Sequence, residues 1–238
     1  MKKLILKKKI NKSAFTLAEV LITLAIIGIV ATMTIPTLIS NYKQKIIETR
    51  LSLFYSTMNN AFRLSSIENG DWNSWDKFTY DNILGEDGKP THIKTKNALV
   101  WFNKYLAKYI KTTKVEELEN NEEGKILVQF LNGSIMLMDR SSWLFYPNGN
   151  DFKGKVDKRK DSGKKYFTFY FVPSTTAPHH IGKSLEPYMG SGWDGTREML
   201  IEDSSVGCNE EASNERAYCT KLIQMNNWKI PKDYPLKF

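Results

Sequence analysis

Apolar and polar positions follow different rhythms along this chain, and each rhythm marks an element. From Val20 to Ile39, 20 positions carry no charge, which at about 1.5 Å per helical residue reach roughly 30 Å, one hydrocarbon thickness of a bilayer. Beyond that run Ile47, Leu51, Phe54, Met58 and Ala61 recur at helical spacing, while Lys43, Lys45, Glu48 and Arg50 fall between them. One face of this second stretch is therefore apolar. The pattern predicts a continuous helix from about Phe15 to Ile67, its first half in lipid and its second half against a globular head. A heptad coiled coil with a partner is the rival use of that face. "ENGD" at 68–71 supplies the turn residues that end the helix.

Further along, "NALVWFNKYLAKYIK" at 97–111 brings Leu99, Phe102, Leu106 and Ile110 to one face of a shorter helix. In "GKILVQFLNGSIMLMDR" at 124–140 two β-rich runs flank Asn132-Gly133, the strongest short-range hairpin signal. "WLFYP" at 143–147 and "KYFTFYFVP" at 165–173 read as further strands, with a polar, glycine-bearing loop between them. These elements predict an antiparallel sheet of three or four strands packed on the long helix, an α+β head. From about Pro173 the chain is rich in Gly, Ser and Pro with weak periodicity, and Trp228, Ile230 and Tyr234 are candidate anchors for its tail. There is no internal repeat, and the boundary after the helix lies near Ile67.

Charge changes the picture less than its total suggests. The formal net charge is +8, but Lys2, Lys3, Lys7, Lys8, Lys9 and Lys12 supply six of those charges in a 14-residue leader without an acid, leaving +2 beyond it. Basic character thus belongs mostly to targeting, and nucleic acid is not an expected partner. A lysine-rich leader stays cytoplasmic by the positive-inside rule, which puts the chain from about residue 41 outside the cytoplasm. Cys208 and Cys219 are the two cysteines; in an exported chain they read as one disulfide, in a cytosolic one as free thiols.

One feature of the apolar segment resists an ordinary explanation. Glu19 stands at its mouth and Pro36 near its end. A secretory signal peptide seldom carries such an acid, and a plain anchor has no use for one. A carboxylate entering the bilayer costs on the order of 2.5 to 3.5 kcal/mol and normally marks a functional pairing. Pro36 removes the helical donor to the Thr32 carbonyl, at about 3 kcal/mol in a helix interior. That predicts a kink or melted stretch between Gly28 and Pro36, with Thr32 or Thr34 available to satisfy the freed group.

Residues 8–45 resemble the type IV pilins and the pseudopilins of type II secretion: a short basic leader, a small residue Ala14, then Phe15-Thr16-Leu17-Ala18-Glu19, then an apolar helix with Gly28 and Pro36 in register. The residue before the cut is usually Gly in that family, and here it is Ala14. The resemblance implies four segments: a cleaved leader (1–14), a transmembrane or filament-core helix (15–40), its amphipathic continuation (41–67) and a pilin-like α+β head (68–238). It implies cleavage between Ala14 and Phe15 by a prepilin peptidase and N-methylation of Phe15. Glu19 would then pair with the Phe15 amine of a neighbouring subunit and set axial register, the alternative being an i,i+4 pair within one chain. The implied partners are prepilin peptidase, other pilin or pseudopilin subunits, an inner-membrane assembly platform and the membrane. The implied destination is a single-pass inner-membrane chain, head outside, that enters a pilus or pseudopilus.

No enzyme is read from the remaining residues, and no catalytic, cofactor or metal site. His92, His179 and His180 lack further ligands for zinc, no G-x-S-x-G occurs, and "GSGWDGT" at 190–196 lacks the lysine of a phosphate loop. Asn148, Asn150 and Asp151, or Asp194, Glu202 and Asp203, offer hard oxygen donors for calcium but also read as solvated loop residues. The rival from another class is a membrane-tethered extracytoplasmic module for DNA, glycans or a host surface, using aromatics such as Trp72, Trp75, Trp143 and Trp193, which also read as core or loop anchors.

Overall fold

A computed structural model describes residues 15–86, 88–118, 123–172 and 177–238; Ala14 with the rest of the leader, and Pro173, lie outside the described residues. The chain divides into two compact units, 1–42 and 43–238, taken separately below. One helix, α1 (Leu17–Asn69), contributes to both.

In the second unit, the apolar stripe of α1 is buried as its spacing predicts, at Ile47, Leu51, Phe54, Met58 and Ala61, joined by Phe62. After α1 come β1 (Tyr80–Leu84), β2 (Pro90–Thr95), α2 (Ala98–Tyr105), β3 (Thr112–Glu117), β4 (Ile126–Phe130), β5 (Ile135–Met138) and β6 (Ser142–Tyr146). Then follow α3 (Lys158–Asp161), β7 (Phe167–Tyr170), β8 (Glu186–Pro187), α4 (Arg197–Glu202) and α5 (Cys219–Met225). β1 and β2 form a two-stranded antiparallel sheet, and β3 to β8 form a six-stranded antiparallel meander in chain order. The meander is wider than the three or four strands expected. Its extra members are an edge strand rich in charge, β3, and a two-residue strand, β8, neither of which has a buried alternating face.

Register explains why both faces of the meander are apolar. Val128, Met136, Phe145 and Phe167 lie side by side across β4 to β7, as do Leu127, Leu137, Leu144 and Thr168 one residue out of phase. Successive side chains of a strand point to opposite faces. The first row belongs to the cluster that α1 fills, and Leu127, Leu137 and Leu144 to a second cluster with Ile135, Tyr146, Tyr166, Phe152 and Val156. The segment between β6 and β7, expected as a solvated loop, thus supplies the apolar cover of the second face. Asn132-Gly133 makes the hairpin as expected: Gly133 takes φ +78°, and its N–H donates to Phe130 O at 3.0 Å.

Aromatic rings dominate the helix-facing side. Phe54 stacks on Phe145 with centroids 4.1 Å apart, and Trp75 is stacked between Phe62 and Tyr105. Offset and edge contacts of this kind add to area burial. They also correct the expected face of α2. Phe102, Leu106 and Ile110 are buried, but Leu99 is half-exposed, and Trp101 and Tyr105 turn inward because the Trp75 platform receives them. The α-helix stops at Tyr105, where Leu106 leaves helical geometry, and a 3₁₀ turn at 107–109 replaces its expected last turn.

The tail packs on the head through its candidate anchors and also reaches the head-side half of α1. Trp228, Ile230 and Tyr234 pack against the main core. Glu48, on α1, accepts the Ile230 N–H at 3.0 Å and the Lys229 ammonium at 3.1 Å. Tyr55 donates to Glu186 at 2.9 Å.

Candidate functional site

The chemistry-bearing feature of the first unit is the start of α1. Thr16 precedes the helix and its carbonyl accepts the Val20 N–H at 3.2 Å. Its hydroxyl accepts the Glu19 N–H at 3.2 Å, while Glu19 Oε2 accepts both the Thr16 N–H and the Thr16 hydroxyl at 2.8 Å. This is a reciprocal capping box, Thr-x-x-Glu, which satisfies donors a helix start leaves orphaned. Beyond the counter-ion role expected of Glu19, the Thr-x-x-Glu spacing before an apolar run is a sequence signal for this cap. Both bonds to Thr16 use Oε2.

From Leu17 onward α1 is long and apolar enough to cross a membrane, and its most apolar window is uncovered. Leu24 is 59%, Ile27 63% and Met33 73% exposed in the isolated chain. The helix assignment continues through Gly28 and Pro36, so no melted stretch interrupts it here. The expected rescue of the Thr32 carbonyl is corrected in detail: the Thr32 hydroxyl donates to Ile29 O at 2.8 Å and the Thr34 hydroxyl to Val30 O at 3.0 Å. Both hydroxyls are satisfied one turn back along the helix.

In the head, Cys208 and Cys219 form a disulfide at the centre of a third small core with Leu200, Tyr218, Leu222 and Leu236. Gly163 sits against it at φ +74°; a Cβ there would meet Cys219 Sγ at 2.5 Å and Leu236 at 2.8 Å. Only glycine fits that close approach.

The other residues singled out for chemistry have structural duties. Trp75 and Trp143 are buried, Trp72 packs on the core, and Trp193 donates its indole N–H to Thr196 O at 2.8 Å. His179 Nε2 lies 2.8 Å from the Trp193 carbonyl. His180 is buried, accepts the Met189 N–H at 3.2 Å, and burial pushes its pKa down to about 4. The His92 side chain lies outside the described residues. Asn148 accepts the Asn150 N–H, Asp194 the Thr196 N–H, and Asp203 the Ser205 and Val206 N–H groups. Among the described residues no three His, Cys, Asp or Glu side chains come together as a metal site. Lys125 is a buried cation; desolvation opposes its charge, but Asp139 at 2.9 Å and Glu123 outweigh that and hold its pKa above the usual lysine range.

Comparison with known families adds two matches. A family of unknown function (DUF6613) matches residues 37–238, and the prokaryotic N-terminal methylation motif matches residues 9–35. The second is the type IV pilin and pseudopilin signal. No curated protein and no solved structure matches the chain.

Proposed function

The chain belongs to the family of unknown function DUF6613 and carries the N-terminal methylation motif of type IV pilins and pseudopilins, and from that premise we propose that it is a structural subunit polymerised through its N-terminal helix. Prepilin peptidase cuts the leader, 1–14, between Ala14 and Phe15, and Phe15 is N-methylated. Residues 15–40 hold the chain in the inner membrane, N-terminus in the cytoplasm, and later form filament core. Residues 41–67 continue that helix, and 68–238 form the head outside the cytoplasm. The filament is a type IV pilus or a type II secretion pseudopilus, built on an inner-membrane platform with other subunits.

One observation carries this reading: the motif is in register with a helix start whose acid, among the described residues, has one unbonded oxygen. Cleavage leaves an α-amino cation at Phe15 beside apolar surface, and an unpaired charge there is costly. Glu19 caps its own helix through Oε2. A carboxylate accepts at both oxygens, so Oε1 can take a neighbour's Phe15 amine without uncapping the helix. Packing of Leu24, Ile27 and Met33 from adjacent subunits would replace lipid around the same surface. Gly28 and Pro36 leave the helix weakest where the filament would stretch.

The test is the intact mass and N-terminal sequence of the membrane-extracted chain from its host. A chain beginning at Phe15, with an added methyl group, is expected. A chain still beginning at Met1 would overturn the reading and leave a plain anchor.

A further inference from the structure

The head contains a groove of about 520 Å³, within the range that small-ligand sites occupy. Six cations line it, Lys43 and Arg50 from α1, Lys160, Lys164 and Lys165 from α3 and the turn after it, and Lys237 from the tail; Asp151 is the one acidic side chain among the lining residues. These residues are scattered over nearly two hundred positions, so no charge run announces them. The concentration is local: the chain beyond its leader carries only +2 in total.

Two of the cations are already neutralised, Lys164 by Glu210 and Lys165 by Asp161, each at 2.7 Å. Among the described residues Lys43, Arg50, Lys160 and Lys237 make no ion pair, and Arg50 is held in place by donating to the Pro147 carbonyl. Such a set is poised for an external anion. The remaining wall is mostly apolar, with Ile46, Ile47, Pro147 and Phe238 beside the amide of Asn148. A free inorganic anion would leave that wall unused; a ligand with an anionic head and an apolar body would use both.

Chain connectivity supplies such a ligand. Lys43 is the first charged residue after Glu19 and lies four residues beyond Ile39. At the reach of an extended chain it stays within about 14 Å of the apolar segment, whatever the arrangement of the two units. We propose that this groove binds the headgroup of an anionic phospholipid from the bilayer in which the apolar helix resides, its phosphodiester among the unpaired cations and its glycerol and upper acyl carbons against the apolar wall. The proposal rests on the membrane-anchored reading above. It gives the subunit a lipid contact that filament entry must exchange for subunit contacts.

The test is native mass spectrometry of the full chain in neutral detergent with an equimolar mixture of phosphatidylglycerol and phosphatidylcholine. The wild-type chain should retain the anionic lipid with a preference of about tenfold or more, falling as salt is raised. The variant K43Q/K160Q/K237Q should lose most of that preference. K77Q/K94Q/K111Q, which removes the same charge from exposed sites outside the groove, should keep it. Equal retention of the two lipids, or equal loss in both variants, would overturn the proposal. So would displacement of the lipid by inorganic phosphate at matched concentration, which would make this a soluble-anion site. Flotation of the same chain on liposomes separates the readings: a chain that does not float brings down the membrane anchor, whereas one that floats without anionic preference brings down only the groove.

Discussion

The two halves of α1 share one helical geometry and differ in what covers them. In residues 47–62 each buried side chain belongs to a core shared with the sheet, as when Phe54 (4% exposed) meets Phe145, Phe130 and Phe169. In residues 20–39 the apolar side chains point in all directions and have no cover of their own. A helix that is apolar all round must be surrounded by protein or lipid. The lesson is that the first half is specified for a medium and the second for a shape. A medium tolerates any apolar residue of similar size, whereas a close-packed core responds to a single methylene.

The largest effect should come from Glu19, the one charged group at the mouth of the exposed half. Glu19→Ala is expected to insert in the membrane but to be nearly absent from filaments, scored by shearing and immunoblotting against the membrane fraction. Undiminished incorporation would mean the half is held by apolar contact alone, or that the chain is a tethered binder. Next comes a matched pair of truncations. Phe54→Ala should cost about 3–5 kcal/mol of head stability. Leu24→Ala, an equally apolar residue of the uncovered half, should change the same denaturation midpoint by less than about 0.5 kcal/mol. Comparable losses would show that residues 20–39 are covered by the head after all.

The covered half also depends on a head that is not held by packing alone. The 11-residue separation of Cys208 and Cys219 closes a loop worth about 2–4 kcal/mol in the chain-entropy model. Replacing both by serine should lower head stability by that amount under oxidising conditions and by nothing further under reducing ones. Acid should then reach the head through His180. Its ring titrates near 6.5 when unfolded and near 4 when folded, so between those values the unfolded chain binds more protons. Stability is complete above about pH 6.5 and is lost as pH falls towards 4. On the order of 1–2 kcal/mol should disappear between pH 7 and 5, and His180→Gln should flatten that slope. No carboxyl, imidazole or amine side chain occurs between Val20 and Tyr42, so the uncovered half should contribute nothing to it.

The halves also differ in how much of them was legible in the sequence. The stripe from Ile47 to Ala61 follows from periodicity, because burial imposes a period on the residues it selects; the apolar run and strands β4 to β7 follow from composition, and the stop at 68–71 and the Asn132-Gly133 hairpin from turn residues. What periodicity missed has little buried face. Tyr80–Leu84 and Pro90–Thr95 pair mainly through backbone, with Tyr80 and Leu84 exposed, and Glu186–Pro187 is too short to alternate. Phe152 and Val156 stand isolated among lysines and glycines, where no period marks them as part of the cover of the sheet's second face. The cationic groove was invisible because its parts meet only in the fold.

The smallest expected effect separates two roles of one carboxylate. Glu19 both caps α1 and, in the proposed filament, pairs with a neighbour, so Glu19→Ala alone does not distinguish them. Thr16→Ala removes the hydroxyl from the capping box and leaves Glu19 in place. Loss of an N-cap costs about 1 kcal/mol of helix stability, which should appear as faster amide exchange confined to the first turn. Filament incorporation should stay near wild type, because Oε1 is still presented at the helix mouth. If Thr16→Ala and Glu19→Ala lose assembly equally, the acid matters as a helix cap, and intersubunit register must come from the apolar surface instead. If Thr16→Ala assembles while Glu19→Gln does not, the requirement is for charge at that position, as pairing with an α-amino cation demands.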